Sequence, residues 1–117
     1  MTSKIQISAI IKIPEGKLEE FKQNAIECIK QVREKDTGTL KYDWFLSSDQ
    51  TECEVREEYE GSEAVIQHMM NHGELLTKVF EDFPLESLTV YGDPSSQLLG
   101  MSKGFNAKIY SFFQGLE

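Results

Sequence analysis

Ile5, Ile7, Ala9, Ile11 and Ile13 fall on one side of an extended chain, with Gln6, Ser8 and Lys12 on the other. This period of two predicts a half-buried strand over residues 4–13. Pro14-Glu15-Gly16 ends it. The period then lengthens: Leu18, Phe21, Ala25, Ile29 and Val32 recur at helical spacing among charged residues. The pattern predicts a helix from Lys17 to about Lys35, stopping before Thr37-Gly38, with Gly38 placed to take a left-handed cap.

Alternation returns at Leu40, Tyr42, Trp44 and Leu46, and again over residues 52–60, with Ser48-Asp49-Gln50 as the turn between two antiparallel strands. Gly61-Ser62 follows, with Ser62 expected as N-cap of a helix running to about Asp82, bent near His72-Gly73. Pro84 stops that helix, and residues 85–91 read as a fourth strand. The order β-α-β-β-α-β predicts an α+β, ferredoxin-like split β-α-β fold: an antiparallel sheet with two helices on one face. Residues 1–117 read as a single domain, with the core at 4–91 and a C-terminal extension at 92–117. The extension holds a helical turn at 94–99, and residues 108–113 form either a fifth strand or a segment reaching a partner.

At 117 residues the chain buries roughly two-thirds of its unfolded surface, enough for one core. A net charge of −8 leaves no basic stripe for phosphates and disfavours both nucleic acid and an anionic membrane surface. No apolar run approaches a membrane span, and the first residues lack the apolar stretch of a secretory signal. Two cysteines, Cys28 and Cys53, stand 25 positions apart and form no CxxC. A reducing cytoplasm is the expected compartment. Ile10, Phe45, Leu85 and Tyr91 place apolar groups on the sheet face away from the helices, and a homodimer is the expected way to bury them.

Two polar residues stand where apolar ones belong. Glu57 shares a strand face with Cys53, Val55 and Tyr59. His68 shares a helix stripe with Ala64, Val65, Leu75 and Leu76. Polar groups on buried faces are either locked core hydrogen bonds or the lining of a site. On the first reading His68 donates to Glu57 or to a carbonyl. On the second His68 is a base, Glu57 orients it, and Tyr42, Trp44, Tyr59, Met69 and Phe80 wall a flat aromatic ligand. His68 and His72 are four apart, but Met69-Met70-Asn71 between them supplies no HExxH glutamate. With no third ligand evident and His72 expected at the surface, metal is disfavoured. Nucleotide, haem-c and serine-hydrolase motifs are absent from the sequence.

Gly38-Thr39-Leu40-Lys41-Tyr42, the hairpin, Glu57-Glu58-Tyr59, Gly61-Ser62-Glu63-Ala64 and His68 together resemble the antibiotic biosynthesis monooxygenase family over about residues 4–91. The resemblance implies a dimeric α+β barrel that oxygenates polycyclic phenols or quinols with neither metal nor flavin as cofactor. His68 matches the family's helix histidine and Glu57 its strand glutamate. Tyr59 stands where many members carry tryptophan. Haem-degrading members use an asparagine on the first strand, and no residue from Ser3 to Ile13 is one. The expected function is therefore cofactor-independent monooxygenation of a small phenolic or quinol-type molecule. The alternatives are a non-catalytic small-molecule-binding or structural barrel and, further off, a haem-degrading enzyme.

Overall fold

The computed structural model describes residues 3–116. Met1, Thr2 and Glu117, the ends of the span read as one domain, lie outside the described residues. The elements follow in the order β1 (Ile5–Lys12), α1 (Leu18–Lys35), β2 (Thr39–Leu46), β3 (Glu52–Tyr59), α2 (Ser62–Asp82), β4 (Leu85–Tyr91), α3 (Ser96–Lys103) and β5 (Lys108–Tyr110). They build one five-stranded sheet in the order β2-β3-β1-β4-β5. The first four strands pair antiparallel, and β5 from the extension adds parallel to β4. The fold is α+β, as the pattern of elements predicts.

The alternation of β1 sets the core. Ile5, Ile7, Ala9, Ile11 and Ile13 are all buried, together with Cys53, Val55 and Tyr59 of the neighbouring strand. Onto this face α1 lays Phe21, Ala25, Cys28 and Val32, and α2 lays Val65, His68, His72 and Val79. Ile29, expected in the α1 stripe, is only half-buried, because the spacing rotates Cys28 inward instead. The helix stripes match the sheet face, and burying them stabilises the fold by roughly 1.5–3 kcal/mol per large apolar side chain.

Four local expectations are corrected. Gly38 is not left-handed. It is buried, and a Cβ there would come 2.6 Å from the Cβ of Ala64, so its role is to let α2 approach the α1–β2 link. Asp36 caps α1 in extended conformation, its N–H bonded to the Val32 carbonyl. Gly61, not Ser62, is the N-cap of α2, and Ser62 Oγ instead accepts the backbone N–H of Ser95, tying the extension to the helix start. α2 runs unbroken through His72-Gly73. Leu85 faces the helices rather than the open side, because the β1–β4 register shifts between Ile10 and Ile11 and turns both Leu85 and Leu88 inward.

The open sheet face keeps Phe45 and Tyr91 exposed at 53% and 41%. Tyr91 stacks on Tyr110 of β5, with ring centroids 5.6 Å apart. Polar bridges cross between them: Ser8 Oγ donates to Glu54 at 2.5 Å and Gln6 Nε2 to Glu58 at 3.3 Å. Glu54 also pairs with Arg56 at 3.6 Å. Glu54 and Glu58 are thus part of a hydrogen-bonded ladder across the open face.

Candidate functional site

His68 reaches the sheet because α2 carries it on the stripe that also buries Val65, His72 and Val79. Its ring meets Tyr42 and Tyr59 edge-on, with centroids 5.2 and 5.4 Å away. Its hydrogen-bond partner is neither Glu57 nor a carbonyl. Nδ1 lies 2.8 Å from Oδ2 of Asp36 at the end of α1, and no other described group bonds the ring.

The Asp36 carboxylate is the hub. His72 Nε2 lies 2.7 Å from its other oxygen, Thr39 Oγ1 donates at 2.7 Å and Asn71 Nδ2 at 3.0 Å. Around it Gln67 Oε1 accepts the Thr37 backbone N–H, and Asn71 also donates to the Lys35 carbonyl. One face of α2 thus clasps the end of α1. The Asp36 side chain is 1% exposed. Burial alone would raise its pKa, but the bonds from Asn71, Thr39, His68 and His72 outweigh burial and hold it at about 2. Asp36 is therefore ionised, and a carboxylate facing Nδ1 fixes the proton there. His68 is left with Nε2 as a lone-pair acceptor. Burial, opposed by Asp36, lowers the His68 pKa below its ordinary value, so the ring is neutral at pH 7.

Glu57 lies in β3, an interior strand of the sheet, opposite Tyr42 on one side and Ile7 on the other. The Tyr59 hydroxyl donates to its Oε1. Burial raises the Glu57 pKa to about 7, the Tyr59 bond opposing and the Asp36 charge adding to the rise. Near neutrality Glu57 is thus poised to give or take a proton. Tyr59 itself is pushed well above its usual range, chiefly by burial and then by the Glu57 charge.

All seven residues read from the sequence as site candidates, His68, Glu57, Tyr42, Trp44, Tyr59, Met69 and Phe80, line one cavity of about 90 Å³ between sheet and helices. Its remaining walls are apolar, chiefly from β1, β3, β4 and α2. Phe105, 42% exposed on the α3–β5 connection, forms its outer edge. A cavity that holds benzene measures about 150 Å³, so a ring enters here only if flexible walls such as Met69 or Phe105 shift. Trp44 packs its ring 5.7 Å from Tyr42 and 5.8 Å from Phe21, and its buried Nε1 has no acceptor among the described residues.

The sequence matches no protein-family model and no curated protein. Solved structures do match. MupZ from Pseudomonas fluorescens superposes with a TM-score of 0.84 at 21% identity, covering 100% of this chain and 91% of that one. A structure from Nitrosomonas europaea named "putative antibiotic biosynthesis monooxygenase" gives 0.67 at 16% identity, covering 80% and 92%. One so named from Caulobacter crescentus gives 0.65 at 17%, covering 76% and 86%. The chain has the antibiotic biosynthesis monooxygenase fold. The MupZ superposition spans the whole chain and so includes the 92–117 extension.

On this monooxygenase-type scaffold, two site residues escape a linear reading. Asp36 is 32 positions from His68, and Phe105 lies beyond the resembling segment. One signal for Asp36 was present: a helix C-terminus disfavours an acid, so a carboxylate there calls for a specific partner. His72 corrects the expectation of a surface residue, being 4% exposed. Asp36, His68 and His72 bring three ligand-capable atoms within 4.8 Å of one another, supplying the third group the sequence did not reveal. Two imidazoles and a carboxylate are a donor set suited to zinc or non-haem iron. A metal entering there would have to displace both imidazole–carboxylate bonds.

Cys28 and Cys53 are buried, and burial raises both thiols to about 11. They pack as small hydrophobes and are not nucleophiles. No helix among the described residues is long and apolar enough to cross a membrane.

Proposed function

We propose that this protein is a cofactor-independent monooxygenase that converts a small phenol to the quinone, or a quinol to the hydroxyquinone. The observation that carries the reading is the Asp36–His68 pair on the wall of an apolar cavity, which leaves Nε2 without a hydrogen-bond partner among the described residues. A neutral imidazole held in this tautomer is the base such chemistry needs. It takes the phenolic proton, and the electron-rich phenolate passes charge to dioxygen, which a neutral closed-shell phenol does too slowly. A ring carbon then bonds to one oxygen, and the O–O bond breaks. The ring C–H and O–H hydrogens leave with the other oxygen as water. The substrate supplies all four electrons, so the balance closes without a reductant. Apolar walls keep the charge-transfer step dry, and neutral Glu57 is a proton donor for the departing oxygen.

Oxygen uptake with a panel of monocyclic phenols and hydroquinones in chelator-treated buffer tests this. Uptake with one oxygen-inserted quinone formed per dioxygen and no peroxide released is expected, and uptake no faster than buffer alone for every compound would end the proposal. The small cavity favours a second reading, in which the hollow is filled by its own side chains and the protein binds no substrate. On that reading no compound shifts the melting temperature. Haem is far larger than 90 Å³, and a haem titration is expected to give no Soret change.

The dimer belongs to this reading. Phe45, Tyr91 and Tyr110 on the open face, with Phe112 and Phe113 beyond β5, are large exposed apolar groups that a second copy would cover. Sedimentation equilibrium should find a dimer, and Phe45→Glu should shift it toward monomer. A monomer in the parent protein at tens of micromolar would refute pairing.

A further inference from the structure

The one cluster of three metal-ligating side chains among the described residues lies beside the cavity rather than in it. His68 Nδ1 stands 2.8 Å from Asp36 Oδ2 and His72 Nε2 2.7 Å from Oδ1, and the ligand atoms of the three residues fall within 4.8 Å of one another. They converge because α2 stacks its two imidazoles one turn apart and the C-cap of α1 sets a carboxylate between them. Thr39 and Asn71 brace that carboxylate from outside, as outer hydrogen bonds orient the ligands of a metal. Solvent is one residue away, since Asn71 is itself exposed and covers Asp36 Oδ1. The sequence holds two histidines, and both are here.

We propose that Asp36, His68 and His72 form a zinc site, and that zinc bound there silences His68 as a base. The site stands by itself, whereas the silencing rests on the oxygenase reading. Two imidazole nitrogens and a carboxylate oxygen suit zinc, and water completes its four positions. In the metal-free protein both nitrogens carry the protons they donate to Asp36. Zinc needs their lone pairs, so each proton moves to the other nitrogen of its ring and none is lost. For His68 that nitrogen is Nε2, which turns from acceptor to donor and no longer takes a phenolic proton. Two histidines and a carboxylate also suit the ferrous iron of oxygenases, whose open metal positions meet the reactants. Here His68 alone of the three lines the cavity, so a metal is placed to control the base and not to touch the substrate.

Equilibrium dialysis of the unaltered protein against zinc chloride with excess magnesium, followed by metal analysis, should find one zinc per chain. Long-range ¹H–¹⁵N spectra of that sample should show both imidazoles moved and the His68 proton shifted from Nδ1 to Nε2. His72→Gln keeps an N–H for Asp36 but removes a ligand. It should weaken zinc at least about a hundredfold, the upper end of what loss of an outer hydrogen bond costs. No zinc retained, bound zinc with unmoved imidazole signals, or a glutamine variant that binds as tightly as the parent would overturn the site. The spectra use unaltered protein, so a misfolded variant does not rescue the idea. Equimolar zinc should also lower oxygen uptake to the level of His68→Ala, and a chelator should restore it. Uptake undiminished by bound zinc, or raised by ferrous iron, would overturn the silencing. The two proposals fail separately. Zinc bound with the tautomer change but no uptake in its absence removes the oxygenase alone. Metal-free uptake with no zinc retained removes this one.

Discussion

Replacing Asp36 by alanine is expected to lower the unfolding free energy by roughly 3–5 kcal/mol, read from urea denaturation at pH 7. The carboxylate accepts from His68, His72, Thr39 and Asn71, and truncating it strands four donors behind a side chain that was 1% exposed. Asp36→Asn keeps the shape but turns a donor toward the imidazoles, forcing one ring to change tautomer. It should cost less, roughly 1–3 kcal/mol. The pH dependence has a definite sign. Because the folded pKa of Asp36, about 2, lies below its ordinary 3.8, its contribution is present above 3.8 and lost as pH falls toward 2. That acid limb should be missing from the alanine variant. A loss within 0.5 kcal/mol would mean that the clasp between α1 and α2 is held by something other than this carboxylate.

The second large effect concerns the base. His68→Ala should reduce substrate-dependent oxygen uptake by roughly 10²–10⁴-fold, the range a positioned general base contributes. The variant also loses one bond to Asp36, so a moderate fall in stability accompanies it, and activity must be compared below the variant's melting temperature. The pH profile adds an independent check. His68 acts as a base only above its lowered pKa, and Glu57 acts as an acid only below about 7. Rate should climb from acid pH, pass a maximum below neutrality and decline above about 7. Glu57→Gln should abolish the decline. The same carboxyl affects stability: raised from 4.5 to about 7, its favourable contribution is complete below 4.5 and disappears as pH rises through 7. Glu57→Gln should therefore be more stable than the parent at pH 8. A flat profile shared by parent and glutamine variant would exclude Glu57 from the reaction.

Much of this architecture was legible from periodicity, because β1 and β3 alternate cleanly and a two-sided sheet leaves them little choice of register. The cavity residues were also legible, since strand faces and helix stripes say which side chains look inward. What could not be read was what those side chains touch. Asp36 follows a charged run, Arg33-Glu34-Lys35, that looks like a solvated helix end, and only the return of α2 alongside α1 brings His68 and His72 to it. His72 was misjudged because the adjacent glycine drew more weight than the spacing Val65, His68, His72, which already marked a buried stripe. Leu85 was misplaced for a different reason: a register shift in the β1–β4 ladder is invisible to strict alternation. Trp44 was identified as a wall, but that its N–H would be orphaned depends on the packing of Tyr42 and Phe21 around it.

Among the described residues, Phe105 is the only cavity wall residue supplied from outside the six-element core, on a connection that turns through Asn106 in a left-handed conformation. The proton-handling residues and the rim that admits the guest therefore sit on separable pieces of the chain. Changes in the appendage could widen or narrow what enters while leaving the acid–base apparatus untouched, which makes residues 104–107 the natural place to retune selectivity.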